Sequence, residues 1–162
     1  MKLQARIEDA IGEATGESAV IARTAASGGG CINDSRVITL GDGRRFFVKT
    51  HPCADQYPGL FRAEFEALRL LSDPGVIRVP EPVICADEFI VMEYIHLGRP
   101  AADWQETIGR QLAALHRATA QQRFGFGMDN YLGTTPQPNR WMEDWPAFWR
   151  DQRLGWQLQW YA

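Results

Sequence analysis

The sequence predicts an α+β fold, an antiparallel sheet with packed helices that leads into a mostly helical stretch. Three observations point to it. Short β-prone runs in the first half are joined by Gly- and Asp-rich turns. One amphipathic segment, over 59–71, interrupts those runs. After Ile95 the apolar spacing changes to a helical period.

Taken in order, Leu3, Ile7, Ala10 and Ile11 share one helical face, so residues 2–11 open the chain as a helix. Ser18 to Thr24 is a short β-prone run, followed by the Gly28-Gly29-Gly30 turn and a strand expected from Cys31 to Leu40. Gly41-Asp42-Gly43 is a strong hairpin signal. The return strand runs over 44–50 until His51-Pro52 breaks it. The 59–71 helix closes at Ser72-Asp73-Pro74-Gly75. Pro80 and Pro82 bound an extended linker, and a second hairpin forms around Asp87-Glu88. A helix is expected over 103–121, where Ile108, Leu112 and Leu115 make the apolar face and His116 reads as a packing histidine. Residues 124–140 read as a loop in which Asp129-Asn130 is a turn pair. The last stretch, 145–162, reads as a Trp-rich helix. The expected division is one lobe over 1–95 and the start of a second over 96–162.

The 162 residues suit one compact domain, or one lobe and part of another. A net charge of −3 gives no pull toward nucleic acid or an anionic membrane. No apolar run is long enough to span a bilayer. The N-terminus has no apolar signal core, so a cytoplasmic protein is the default expectation. Cys31, Cys53 and Cys85 are an odd set without paired spacing, which makes neither a disulfide framework nor a zinc site.

The chemistry concentrates in the first hairpin. Three adjacent glycines remove every Cβ from a short stretch, so backbone N–H groups can approach a phosphate. Phe47-Val48-Lys49 follows, with the lysine near the end of the return strand. Gly loop, hairpin and lysine, in that order, is how kinase-like folds hold ATP. The 59–71 helix offers two glutamates. Arg62 and Arg69 flank Glu66 at helical spacing, so it belongs to a charged face. Glu64 is flanked by Leu60, Phe61, Ala67 and Leu68, and a carboxylate there needs a distant cation. Lys49 is the obvious one. Met92-Glu93-Tyr94-Ile95 ends an apolar strand where a two-lobed kinase meets the adenine. The candidate nucleotide-binding set is therefore Gly28, Gly29, Gly30, Cys31, Lys49, Glu64, Glu93, Tyr94 and Ile95. Cys31, inside the turn, is also a candidate oxidisable thiol. His116-Arg117 is followed by Ala118, so it makes no His-Arg-Asp loop.

The chain resembles the fructosamine kinases. The matching motifs are Gly-Gly-Cys-Ile at 29–32, Phe47-Val48-Lys49, Phe61-x-x-Glu64-x-x-x-Leu68, Val79-Pro80-x-Pro82 and Val91-Met92-Glu93-Tyr94. They continue with Leu112-x-x-Leu115-His116, Phe124-Gly125-Phe126, Pro136-Gln137-Pro138-Asn139-x-Trp141 with Asp144-Trp145, and Phe148-x-x-x-x-Arg153-Leu154. The resemblance implies a protein-kinase-like fold, here an N-lobe with the start of a helical C-lobe. It also implies ATP as cofactor, Mg²⁺ in the full-length family, and transfer of the γ-phosphate to the sugar 3-hydroxyl of a glycated amine or protein-bound fructosamine, in protein deglycation. Family members carry a His-Gly-Asp-x-x-x-x-Asn loop and a later Asp that supply the base and metal ligands. No His-Gly-Asp occurs in these 162 residues. The expectation is thus a truncated, ATP-binding half with no catalytic or metal-binding residues of its own. The alternatives are a non-enzymatic nucleotide-binding or interaction module, with the Trp-rich segment as a candidate self-association surface, and an aminoglycoside-like phosphotransferase.

Overall fold

The computed structural model describes residues 2–28 and 33–160, the side chain of Trp160 excepted. Its centre is a five-stranded antiparallel sheet covered by one helix on each face. Helix α1 (Leu3–Thr15) buries Ile7 and Ile11 and stops at Gly16, whose φ of 71° is the left-handed geometry that suits a helix C-terminus. The Glu8 carboxylate then accepts a 2.8 Å hydrogen bond from the Ile21 amide, which ties α1 to the first strand.

The strands are β1 (Ile21–Ala26), β2 (Asp34–Leu40), β3 (Arg45–Thr50), β4 (Pro82–Cys85) and β5 (Phe89–Glu93), in the spatial order β1-β2-β3-β5-β4. Asp42 closes the β2–β3 turn by accepting from the Arg44 amide at 2.9 Å, with Gly43 at φ 91°. β1 runs two residues past the expected Thr24, and β2 is described from Asp34. Alternation along β3 and β5 sorts their side chains between two cores. Val48, Phe89 and Val91 join Ile7, Ile11, Ile38 and Leu40 under α1. Ile90 and Met92 join Phe61 and Ala54 under α2 (Leu60–Ser72), with Phe47, Phe65 and Leu68 packed around them. With a helix on each face, Phe89 to Met92 are all buried.

Beyond β5 the packing thins. Helix α3 (Trp104–Ala118) buries only Leu115. Trp104, Ile108 and Leu112, one turn apart along a stripe, remain 46–49% exposed. His116 is exposed, which corrects the packing role expected of it: it follows Leu115 by one residue and so turns off the buried side. The 124–140 region is not a plain loop. It holds the hairpin β6 (Asn130–Leu132) and β7 (Thr135–Gln137), turned at Gly133 with φ 69°. Asn130 is therefore a strand residue, not half of a turn pair. The last helical stretch is α4 (Trp145–Trp149), a π-helical turn over Arg150–Leu154, and α5 (Gly155–Trp160). Asp144 caps α4 by accepting from the Ala147 amide at 2.8 Å.

Candidate nucleotide site and its neighbouring cleft

β3 and α2 bring the two charged candidates together. Lys49 follows Phe47 by two residues and so faces α2. Its Nζ donates to Glu64 Oε1 at 2.5 Å, with the two side chains 28% and 27% exposed. Glu64 lies on the second turn of α2, one turn after Leu60 and beside Ala63 and Ala67, so no cation on its own helix reaches it. Glu66 instead pairs with Arg62 at 3.0 Å and Arg69 at 3.9 Å along α2. It is as covered as Glu64, because two arginine side chains lie over it.

The other end of the same face is set by the strand register. Phe46 is opposite Glu93, so the next residue out, Tyr94, comes beside Arg45. The Arg45 guanidinium sits 4.0 Å over the Tyr94 ring, which meets His96 edge-on at 4.8 Å. This stack gave no signal in the sequence. From Arg45 to Lys49 the strand rises roughly 13 Å. Phe47, paired with Val37, and Met92 line the strip between. Glu93 faces away from this strip. Its amide donates to Glu81 O at 2.8 Å and its carboxylate pairs with Arg78. Tyr94 and Ile95 carry the main chain onward from the sheet.

Gly28 is exposed at the end of β1, and a Cβ built there meets nothing within 4 Å. Gly29, Gly30 and Cys31 lie outside the described residues, and with them the question of a reactive thiol. Of the other cysteines, Cys85 is partly buried, and that burial pushes its thiol pKa up.

Beside Glu64 a cleft of about 330 Å³ opens between α2 and the β6–β7 hairpin, lined on one side by Asn33. Two contacts dock the hairpin there. The Tyr131 hydroxyl donates to Pro58 O at 3.1 Å, and its ring meets that of Tyr57 at 5.8 Å. Behind it, Asn139 is 2% exposed and fully used. Its Nδ2 donates to Met128 O at 3.1 Å and Asn130 Oδ1 at 2.9 Å, while its Oδ1 accepts from Arg153 Nη2 at 2.6 Å. Arg153 also donates to Pro138 O at 2.7 Å. Trp156 donates to Pro136 O at 2.5 Å. The Pro-Gln-Pro-Asn segment thus fastens the hairpin to the last helix, and Asp129 joins by accepting from the Asn139 amide at 2.8 Å. Among the described residues no group of three or more His, Cys, Asp or Glu side chains is placed to hold a metal.

Known proteins share this architecture. The family model for fructosamine kinase matches residues 3–162. A Synechocystis protein assigned as a ketoamine kinase is 35% identical over 156 residues, 94% of this chain and 52% of that protein. A chloroplastic protein-ribulosamine 3-kinase of Oryza sativa subsp. japonica is 37% identical over 150 residues, 89% of this chain and 43% of its own length. Among solved structures, one assigned as a fructosamine-3-kinase from Haemophilus somnus superposes with a TM-score of 0.84 at 26% identity. It covers 98% of this chain, which covers 56% of it. The chain spans about half the length of these relatives. The sheet with its two packed helices is the protein-kinase-like arrangement of those structures, and the chain belongs to the fructosamine kinase family.

Proposed function

We propose that this chain is the ATP-holding half of a ketosamine kinase, with residues 1–95 as the nucleotide lobe and 96–162 as the hinge exit and first helices of the second lobe. The observation that carries the reading is the Lys49–Glu64 pair. An ion pair that is only a quarter exposed fixes a flexible lysine, and a fixed lysine can be a point charge for the α- and β-phosphates. The strip from Lys49 to Tyr94 gives the nucleoside an apolar bed, with the main chain at Tyr94 and Ile95 for the base. Gly28, Gly29, Gly30 and Cys31 are assigned to the phosphates on their sequence alone.

The relatives' names supply the acceptor class, a ribulosamine or fructosamine phosphorylated at its 3-hydroxyl. In that transfer the acceptor oxygen bonds to the γ-phosphorus, the bond to the β–γ bridging oxygen breaks, and ADP leaves. The hydroxyl proton needs a base and the developing charge needs Mg²⁺. We assign neither to residues of this chain, so it binds ATP without turning it over. Titration with ATP and with adenosine tests this. Tighter binding of ATP is expected, with no phosphate transferred to fructosyl-lysine. Absence of ATP binding would overturn the reading, and turnover by the chain alone would overturn its second half.

A second reading has its own support. Trp145 and Trp149 remain 48% and 45% exposed on α4, an apolar surface that a second copy could cover. A monomer by light scattering at high protein concentration would dismiss it.

A further inference from the structure

We infer that the cleft between α2 and the β6–β7 hairpin receives the hydroxyl-bearing part of the phosphoryl acceptor, so that this half of the fold reads the sugar as well as the nucleotide. The inference rests on the nucleotide reading above, because Glu64 is what sets the cleft beside the phosphate position.

The cleft's polar groups decide the ligand's chemistry. Asn33 Oδ1 is buried and has no hydrogen-bond partner among the described residues. A buried acceptor left unpaired is costly, and in a native structure it calls for an explanation. A fully ionised phosphate oxygen only accepts, so the partner that suits this acceptor is a hydroxyl, an amine, another N–H or water. Glu64 has one carboxylate oxygen bound to Lys49, and among the described residues nothing donates to the second, which can accept. Asn130 provides the opposite polarity. Its Oδ1 accepts from Gln137 Nε2 at 3.0 Å and Asn139 Nδ2 at 2.9 Å, which fixes the amide and leaves its NH₂ to donate.

Two acceptors and one donor around a small cavity match groups that both give and take hydrogen bonds, as hydroxyls do. The walls suit the carbon skeleton. Ala63 and Ala67 keep the α2 side open, and the Tyr131 ring lies across from them. A volume of about 330 Å³ is at the small end of ligand cavities, the size of a compact polyol and too small for a nucleotide.

The test is a titration of the ¹⁵N-labelled chain with fructosyl-lysine, fructose and lysine, in separate samples, reading the side-chain amides of Asn33 and Asn130. Fructosyl-lysine is expected to shift both amides, fructose to shift them more weakly, and lysine to leave them unmoved. Asn33→Leu, close in size, should weaken fructosyl-lysine about five- to tenfold while ATP affinity is unchanged. Ala67→Phe, which fills the cleft, should abolish the sugar response. Unmoved amides, equal shifts with lysine alone, or wild-type affinity in both folded variants would each overturn the inference. ATP is titrated on the same sample: an ATP response without a sugar response overturns this inference alone, and no ATP response overturns the reading beneath it.

Discussion

Replacing Asn139 should loosen the whole second half of the chain. Its amide makes three hydrogen bonds at a site 2% exposed, so water cannot stand in for it. Two of the bonds join neutral groups, worth about 1 kcal/mol each, and the third receives a charged donor, worth about 1.5–3 kcal/mol. Arg153 keeps Pro138 O as a partner, which softens the third loss. Burial already pulls the Arg153 pKa below its ordinary value, so that cation has little solvation in reserve. Asn139→Leu, which keeps the volume, should therefore cost about 3–4 kcal/mol. For a chain of this length that lowers the melting temperature by roughly 6–16 °C. Urea and thermal unfolding followed by tryptophan fluorescence would measure it, because Trp141, Trp145, Trp149 and Trp156 all lie near the affected segment. A loss under about 1 kcal/mol would refute the claim that this amide fastens the hairpin to the helix.

Three further outcomes follow from the geometry. A Cβ at Gly155 would lie 2.6 Å from Arg150 O, the carbonyl that accepts the Gly155 amide across the π-turn. Gly155→Ala should cost about 1–3 kcal/mol, despite alanine's better helix propensity, and a gain in Tm would contradict the π-turn. Gly125 sits at φ 154° with Asn139 O and Trp141 Cα each 2.9 Å from a built Cβ, so Gly125→Ala should also destabilise, read as a lower urea midpoint. Asp42 has its pKa lowered, chiefly by the Arg44 amide and then by the Arg44 side chain. Its stabilisation is thus complete above the ordinary carboxylate range near 3.9 and is lost as pH falls through the lower folded value. The stability gap between the native chain and Asp42→Asn should narrow between pH 5 and pH 2, and parallel curves would show that the turn does not hold this charge.

The parts legible in the sequence were those with local signals. Gly41-Asp42-Gly43 marks its hairpin, and the spacing on α2 separates Glu64 from Glu66 without any structure. The β6–β7 hairpin was hidden because Pro136 and Pro138 argue against strands. Pro136 is tolerated because a two-stranded ribbon has only edges. Gly133 was the available cue, since its positive φ makes the turn. The π-turn left no periodic trace, and Gly155 reads as a weak point in a helix until its contact with Arg150 is seen. His116 misled because periodicity marks a face only to within about one residue. The Arg45–Tyr94 stack and the Asn33 cleft join residues distant in sequence, and only register and packing could bring them together.

The most direct test of the phosphate clamp is the affinity of the chain for ATP and for adenosine, with and without Lys49→Ala. Removing a positioned charge should weaken ATP at least about tenfold and leave adenosine unchanged. Equal ATP affinity in the two proteins would contradict the central claim that Lys49, held by Glu64, grips the phosphates.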